Sequence, residues 1–246
     1  MIYFVGLDDT DNKNSRGTGF KSRQLGKLIE EQNLGEVQSI SRHQLFVHSK
    51  IAYTSQNSSA CLAVNPENIE GLKSLCIEYL KKVAEEGSDA GLCIAGADQI
   101  DACVLQWGNR AKKEVLRKEE AYEIAKRGSI FLEGYTGTKI GVIGALAAVG
   151  LRKGGNDGRN IWLKGNELRD LGGVYSAEEL KNIINVQAVI TKEGKQIEDA
   201  DRIEVGNWLR PSIKNNKNTV VVEQCKSGEN YEWKCVSKEY IKSISD

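Results

Sequence analysis

The chain is poor in several things, and each scarcity closes off a class of protein. Its 34 basic and 34 acidic residues cancel, with a pI near 6.8. No global basic field therefore exists, and tight nonspecific binding to nucleic acid is not expected; a local basic patch is still open. No run of about 18 apolar residues occurs, so no membrane-spanning helix is predicted. The N-terminus carries no basic region ahead of its first apolar run, and no secretory leader is expected there. The six cysteines, Cys61, Cys76, Cys93, Cys103, Cys225 and Cys235, include no Cys-x-x-Cys pair. They read as reduced thiols of a cytoplasmic protein, and the spacing excludes a zinc ribbon. One alternative is that Cys225 and Cys235 face each other across a hairpin. Histidine is reduced to His43 and His48, and proline to Pro66 and Pro211. The four tryptophans, Trp107, Trp162, Trp208 and Trp233, are too far apart in sequence to argue for a stacking platform.

What is present is an alternation of short apolar runs and amphipathic stretches. Ile2 to Leu7 reads as a buried strand and Phe20 to Gln32 as a helix, with Leu25, Leu28 and Ile29 on one face. Val37 to Val47 is extended with a polar break at Ser41–Gln44, and Ser59 to Val64 is a strand. Ile69, Leu72, Leu75, Cys76 and Val83 recur at helical spacing up to Gly87. Gly91 to Val104 is short strand material around a loop, Ala111 to Lys126 a charged amphipathic helix, and Gly141 to Leu151 a small-residue helix. Leu151 to Asn160 (LRKGGNDGRN) reads as a flexible loop. Its glycines are a phosphate or lid loop on one reading and a plain connector on another. Ser176–Glu179 is a capping box opening a helix through Ile184. Hairpin strands follow at Gln187–Thr191, Arg202–Val205, Thr219–Glu223 and Glu232–Val236. The expectation is a mixed α/β fold with a larger domain over residues 1–170 and a small β-rich subdomain over 171–246.

The chemistry concentrates at the beginning, in MIYFVGLDDTDNKNSRGTGF. Asp8, Asp9 and Asp11 arrive together at the end of a strand, and their mutual repulsion has to be neutralised. Mg²⁺ favours a few carboxylates combined with phosphate oxygens and water. Gly17-Thr18-Gly19, at the start of a helix, offers backbone N–H groups to a phosphate. The pattern points to a Mg²⁺–nucleotide site with Asp8, Asp9 and Asp11 on the metal. A solvated Asp/Asn/Ser turn is the bland reading. Thr18 is a phosphate contact, a phospho-acceptor or a helix N-cap. Gly144, in the small-residue helix, brings backbone near a ligand or packs closely on the sheet. Lys139 and Arg152 flank that helix as phosphate neutralisers or as solvated charges. His43 and His48 are general-base candidates or packing residues.

At Gly6–Asp11 the sequence G-L-D-D-T-D resembles the G-I-D-D-T-D signature of the archaeal tRNA(Ile) agmatinylcytidine synthetases. Ile143–Gly150, I-G-A-L-A-A-V-G, is similar to the motif closing that family's N-terminal domain. Tyr53 with its polar surroundings and Leu116–Lys126 fall in the corresponding order, so the resemblance covers roughly residues 1–165. It implies an ATP- and Mg²⁺-dependent, kinase-like domain that activates a tRNA cytidine by phosphorylation, followed by a ferredoxin-like region. Gly17, Gly19, Lys139 and Gly144 would then border the nucleotide. The family's G-M-C-T-T stretch is replaced by Arg16–Phe20, and its P-Y-K-T-R-G-N-G loop by Ala52–Ser59, without the lysine, arginine and both glycines. The basic stretch before the last motif is reduced to Thr136–Lys139. An OB-fold and a zinc ribbon are not expected in this chain. The implied function is phosphoryl transfer to an acceptor in tRNA modification. A noncatalytic nucleotide- or RNA-binding homologue and a small-molecule kinase or ligase are the alternatives.

Overall fold

The computed structural model describes residues 1–54, 56–225 and 230–245. The chain divides into two compact units, Met1–Gly154 and Gly155–Asp246. In the first unit the order is β1 (Tyr3–Asp8), α1 (Thr18–Glu31), β2 (Gly35–Gln44), β3 (Ser58–Pro66), α2 (Ile69–Val83) and β4 (Gly91–Gly96). Then come α3 (Ala102–Ala111), α4 (Lys118–Arg127), β5 (Phe131–Gly134) and α5 (Val142–Gly154). The strands lie in the order β5-β4-β1-β3-β2, every neighbouring pair antiparallel. The first six elements thus make a split β-α-β arrangement with β1 inside the sheet.

Strand alternation sorts β1 between two layers. Phe4 belongs to the core shared with α3, α4 and α5. Gly6, two residues on, lies directly under the backbone of α5: a Cβ there would sit 2.1 Å from the Ala145 carbonyl oxygen. Val5 and Leu7 are buried and alternate with these. The α5 helix is buried from Gly144 through Leu151, which explains its small, uniformly apolar sequence. Trp107 of α3 is fully buried and donates its indole N–H to the Ile143 carbonyl at 3.0 Å, tying α3 to the start of α5.

The second unit holds β6 (Arg159–Leu163), β7 (Asn166–Glu167), β8 (Val174–Ser176), α6 (Ala177–Ile184), β9 (Ala188–Thr191), β10 (Arg202–Glu204), β11 (Ser212–Lys214), β12 (Lys217–Gln224), β13 (Trp233–Cys235) and α7 (Lys238–Ser245). Its strands run β6-β11-β12-β13-β10-β8, with β7 paired to β6 and β9 parallel to β12. The expected capping box is present: Ser176 Oγ accepts from Glu179 N and the Glu179 carboxylate accepts from Ser176 N. The chain is mixed α/β, and no helix of the described residues is long and apolar enough to cross a membrane.

Several local expectations are corrected. The polar stretch Ser41–Gln44 continues β2, because Ser41 and His43 are buried and bond each other at 2.8 Å. His43 is therefore a packing residue. The helix expected over Ala111–Lys126 starts only at Lys118: Ala111 is the last residue of α3, which begins at Ala102 inside the stretch expected to be strand and loop, and residues 112–117 separate the two helices. Lys113 N and Glu114 N both close onto the Arg110 carbonyl and end α3 there. The loop expected from Leu151 is helical through Gly154, and β6 already begins at Arg159. Cys235 lies opposite Val222, while Cys225 pairs by its backbone with Glu232, so the two thiols do not face each other.

Replacing Trp107 with Ala removes a filled core site and its hydrogen bond, so it should cost about 3–5 kcal/mol. Equilibrium denaturation should show this loss, with Trp107→Phe clearly milder.

Candidate active site

The acidic cluster is built by the end of β1. Continuing the alternation from Phe4 and Gly6, Asp8 comes up on the α5 side. Its carboxylate occupies the space a side chain at Gly144 would need: a Cβ there would lie 1.8 Å from Asp8 Oδ2. Gly144 is thus required for room around Asp8. Asp9 adopts a left-handed φ of 49°, which asparagine and aspartate tolerate better than most residues. That single residue breaks the strand's alternation and lets a second consecutive carboxylate reach the same corner. Asp9 meets Asp89, whose carboxylate accepts from the Thr138 backbone N–H and, at 2.8 Å, from the Thr138 hydroxyl.

Asp11 has a different environment. Its Oδ1 accepts from Thr18 N at 3.1 Å and Thr18 Oγ1 at 3.0 Å, and its Oδ2 from Thr54 Oγ1 at 2.8 Å. Thr18 Oγ1 in turn accepts from Thr10 N at 3.3 Å and from the Thr10 hydroxyl at 3.0 Å. Thr18 is the first residue of α1, and the N-cap is Gly17, which makes no side-chain cap bond. The orphan N–H of Thr18 is instead capped at long range by Asp11. Lys21, one turn further along, is buried, and its ammonium donates to the carbonyls of Thr10 (2.7 Å) and Val83 (2.6 Å) and pairs with Glu85 at 2.9 Å.

Electrostatics separate the three aspartates. Burial, reinforced by Asp9 and Asp11, holds the Asp8 carboxyl well above the usual carboxylate range. Burial, with Asp89 and Asp11 nearby, pushes Asp9 up to about 6. Among the described residues no three His, Cys, Asp or Glu side chains are grouped as a metal site. Both oxygens of Asp11 are engaged by hydroxyl and amide donors, whereas among the described residues Asp8 and Asp9 pair with no Lys or Arg side chain. That donor set fits Mg²⁺, which needs only one or two carboxylates when phosphate oxygens and water complete its shell.

These groups line a cavity of about 190 Å³, several times the roughly 30 Å³ share of one water molecule. Asp8, Asp9, Asp11 and Thr18 form its acidic end, with Gly141 and Gly144. Leu45, Ile51, Ala52, Val115, Leu116 and Ile143 form an apolar side, and Lys50, Tyr53 and Glu114 also reach it. Gly17, Gly19 and Lys139 do not line it. Gly17 has extended backbone that any residue adopts (φ −61°, ψ 164°), and the Gly19 carbonyl accepts from Arg23. Lys139 lies with its Cβ against Gly134. Sequence reasoning missed Thr10, Lys21, Thr54 and Asp89. Thr10 was legible as the hydroxyl inside G-L-D-D-T-D; the others come from distant segments and carried no local signal.

The pH dependence follows from Asp9. Its folded pKa of about 6 exceeds its ordinary value of 3.8, so the folded state binds more protons between those limits. The stabilisation this gives is full below about 4 and is lost as pH rises through about 6. In metal-free buffer, Asp9→Asn should raise the melting temperature at about pH 7.5 and flatten the decline between pH 4 and 6. A parallel pH course for both proteins would refute the assignment. Thr18→Val strands the Thr10 donors and one Asp11 acceptor, and should cost about 1–3 kcal/mol in chemical denaturation.

No protein-family profile matches the chain. An uncharacterised protein of Methanocaldococcus jannaschii is 29% identical over 151 residues, which is 60% of this chain and 49% of that protein. The tRNA(Ile2) 2-agmatinylcytidine synthetase TiaS of Pyrococcus horikoshii is 26% identical over 159 residues, covering 61% of this chain and 36% of the synthetase. The chain therefore spans about half and about a third of the lengths of these two relatives. Among solved structures, TiaS in complex with tRNA(Ile2) and ATP superposes with a TM-score of 0.54 at 24% identity, over 61% of this chain and 36% of that one. A tRNA fluorescent labelling enzyme gives the same values. Over about three fifths of its length, the chain shares the fold of the tRNA(Ile2) agmatinylcytidine synthetase and is distantly similar to it in sequence.

Proposed function

We propose that the first unit is a kinase-like site that uses ATP and Mg²⁺ for phosphoryl transfer, in the manner of an enzyme related to the tRNA agmatinylcytidine synthetases. The observation that carries the reading is the Thr18 hydroxyl donating to Asp11 at 3.0 Å in the same cavity as the neighbouring carboxylates Asp8 and Asp9. A hydroxyl bonded to an adjacent carboxylate is the arrangement of a nucleophile with its base. Asp8 and Asp9 would hold Mg²⁺, which neutralises phosphate charge when bound. Thr18 Oγ1 attacks the γ-phosphorus and its proton passes to Asp11. The bond from the γ-phosphorus to the bridging oxygen breaks, and ADP leaves. The Thr10 N–H, which donates to Thr18 Oγ1 at 3.3 Å, helps hold that oxygen in place. The apolar side of the cavity suits a nucleobase. The similarity to a synthetase solved with tRNA(Ile2) and ATP supports a tRNA nucleoside as the final acceptor.

Incubation with γ-labelled ATP and Mg²⁺ tests this. Label should be retained on the wild-type chain and absent from Thr18→Val. Asp11→Asn should slow labelling about 10²–10⁴-fold, the worth of a general base, and Asp9→Asn should remove the Mg²⁺ dependence. A second reading, a noncatalytic nucleotide- or RNA-binding homologue, is favoured by one observation: among the described residues lining the cavity, Lys50 is the one cationic side chain. Binding of ATP with neither label nor ADP formed would establish that reading instead.

A further inference from the structure

The second unit contains two guanidinium groups on one indole. The Arg169 guanidinium carbon lies 4.0 Å from the centre of the Trp208 ring, and that of Arg210 lies 4.3 Å from it. Arg210 also donates through Nη1 to the Trp208 carbonyl at 2.9 Å. Among the described residues neither Arg169 nor Arg210 has a carboxylate within ion-pair distance. The Trp208 indole N–H is buried and has no acceptor there either. The indole N–H is thus a buried donor with no acceptor, which is costly, while Arg169 is exposed and Arg210 half-buried beside it.

The surroundings add to the positive field. Burial and the nearby Arg159 lower the pKa of Arg210, with Arg169 contributing further; Glu239 acts in the opposite sense. Arg210 and Trp208 line a cavity of about 180 Å³ with Asn207, Ser237 and Lys238 on its polar side and Val220 and Ile241 beneath. Lys238 opens α7, so that helix presents its N-terminal end here as well. Each guanidinium lies over the indole, and the N–H donors not spent on the Trp208 carbonyl can fork onto phosphate oxygens, the pairing that guanidinium geometry favours.

We propose that Arg169, Arg210 and Trp208, with Lys238 at the cavity wall, form a binding site for a phosphate group. Phosphate supplies the charge that the paired guanidiniums need and enough acceptor oxygens for both forks. With its faces taken up by arginines, Trp208 acts as the post that sets the clamp and leaves base stacking to other residues. The group can come from a free nucleotide or from the backbone of an RNA strand, and the experiment separates the two. The proposal is independent of the chemistry assigned to the first unit.

The full chain is titrated with inorganic phosphate, AMP and a short single-stranded RNA, alongside Arg169→Gln/Arg210→Gln and Arg169→Lys/Arg210→Lys variants. For RNA, the Gln pair should weaken binding at least tenfold at low salt. It should also reduce the log–log salt slope by about 0.7 for each phosphate that is no longer neutralised. The Lys pair should keep the slope and recover affinity only in part, because it restores charge without the fork. Arginine-dependent binding of inorganic phosphate and AMP identifies a free phosphate as the natural occupant; arginine dependence with RNA alone identifies a strand. Thermal unfolding confirms that each variant is folded, and Arg210→Lys alone serves if the Gln pair is not. Equal affinity and slope for wild type and the Gln pair, with no arginine-dependent binding of any probe, overturns the proposal.

Discussion

The candidate site of the first unit depends on how closely one helix can approach one strand. The α5 helix lies on β1 with almost nothing between the two backbones. Gly6 admits the Ala145 carbonyl, and Gly144 clears the space into which Asp8 turns. Side chains at either position would push helix and strand apart and displace the Asp8 carboxylate. The run of small residues in α5 and the glycine of G-L-D-D-T-D are therefore two halves of one steric requirement, although more than 130 residues of sequence separate them.

That closeness has an electrostatic cost, which the site distributes unequally. Asp11 accepts from hydroxyl and amide donors on both oxygens and so also holds the start of α1. Asp8 and Asp9 face each other, Asp11 and Asp89, and each has a backbone N–H, from Asp9 and Asp89 respectively, that offsets the repulsion only in part. Neighbouring carboxylates in this setting hold protons more tightly than an ordinary carboxylate does. Compensating positive charge can come as protons at low pH, and a divalent cation can supply it at neutral pH.

Much of this was legible in the sequence. The apolar run ending in three aspartates located the acidic end of the cavity, and the spacing of Leu25 and Ile29 located α1. The small-residue motif located α5. Other features were present but not distinctive enough. Asp101 caps α3 by accepting from Cys103 N and Val104 N, and Val104, Trp107, Gly108 and Ala111 repeat at helical spacing behind it. A glycine within that stretch and a charged segment downstream disguised the pattern. Asn215 and Asn216, both with positive φ, are the two-residue turn joining β11 to β12, yet the very short β11 gave little alternation to read. Thr54, Lys21 and Asp89 lay beyond any local reading. Thr54 reaches Asp11 across 43 positions, Lys21 reaches Thr10 across 11 and Glu85 across 64, and Asp89 acts by closeness in space to Asp9.

The way α1 holds the acidic loop has a mechanical consequence. Thr18 and Lys21 are one turn apart on the same helix, and both grip the segment carrying the aspartates: one through the Asp11 carboxylate and Thr10, the other through the Thr10 carbonyl. Lys21 also holds the carbonyl at the end of α2. The loop therefore cannot shift without turning or sliding α1, and α1 cannot slide without pulling on the end of α2. Any ligand that draws the aspartates inward works against a lever whose fulcrum is a buried ammonium group, and its displacement is handed on to both helices on the far side of the sheet from α5.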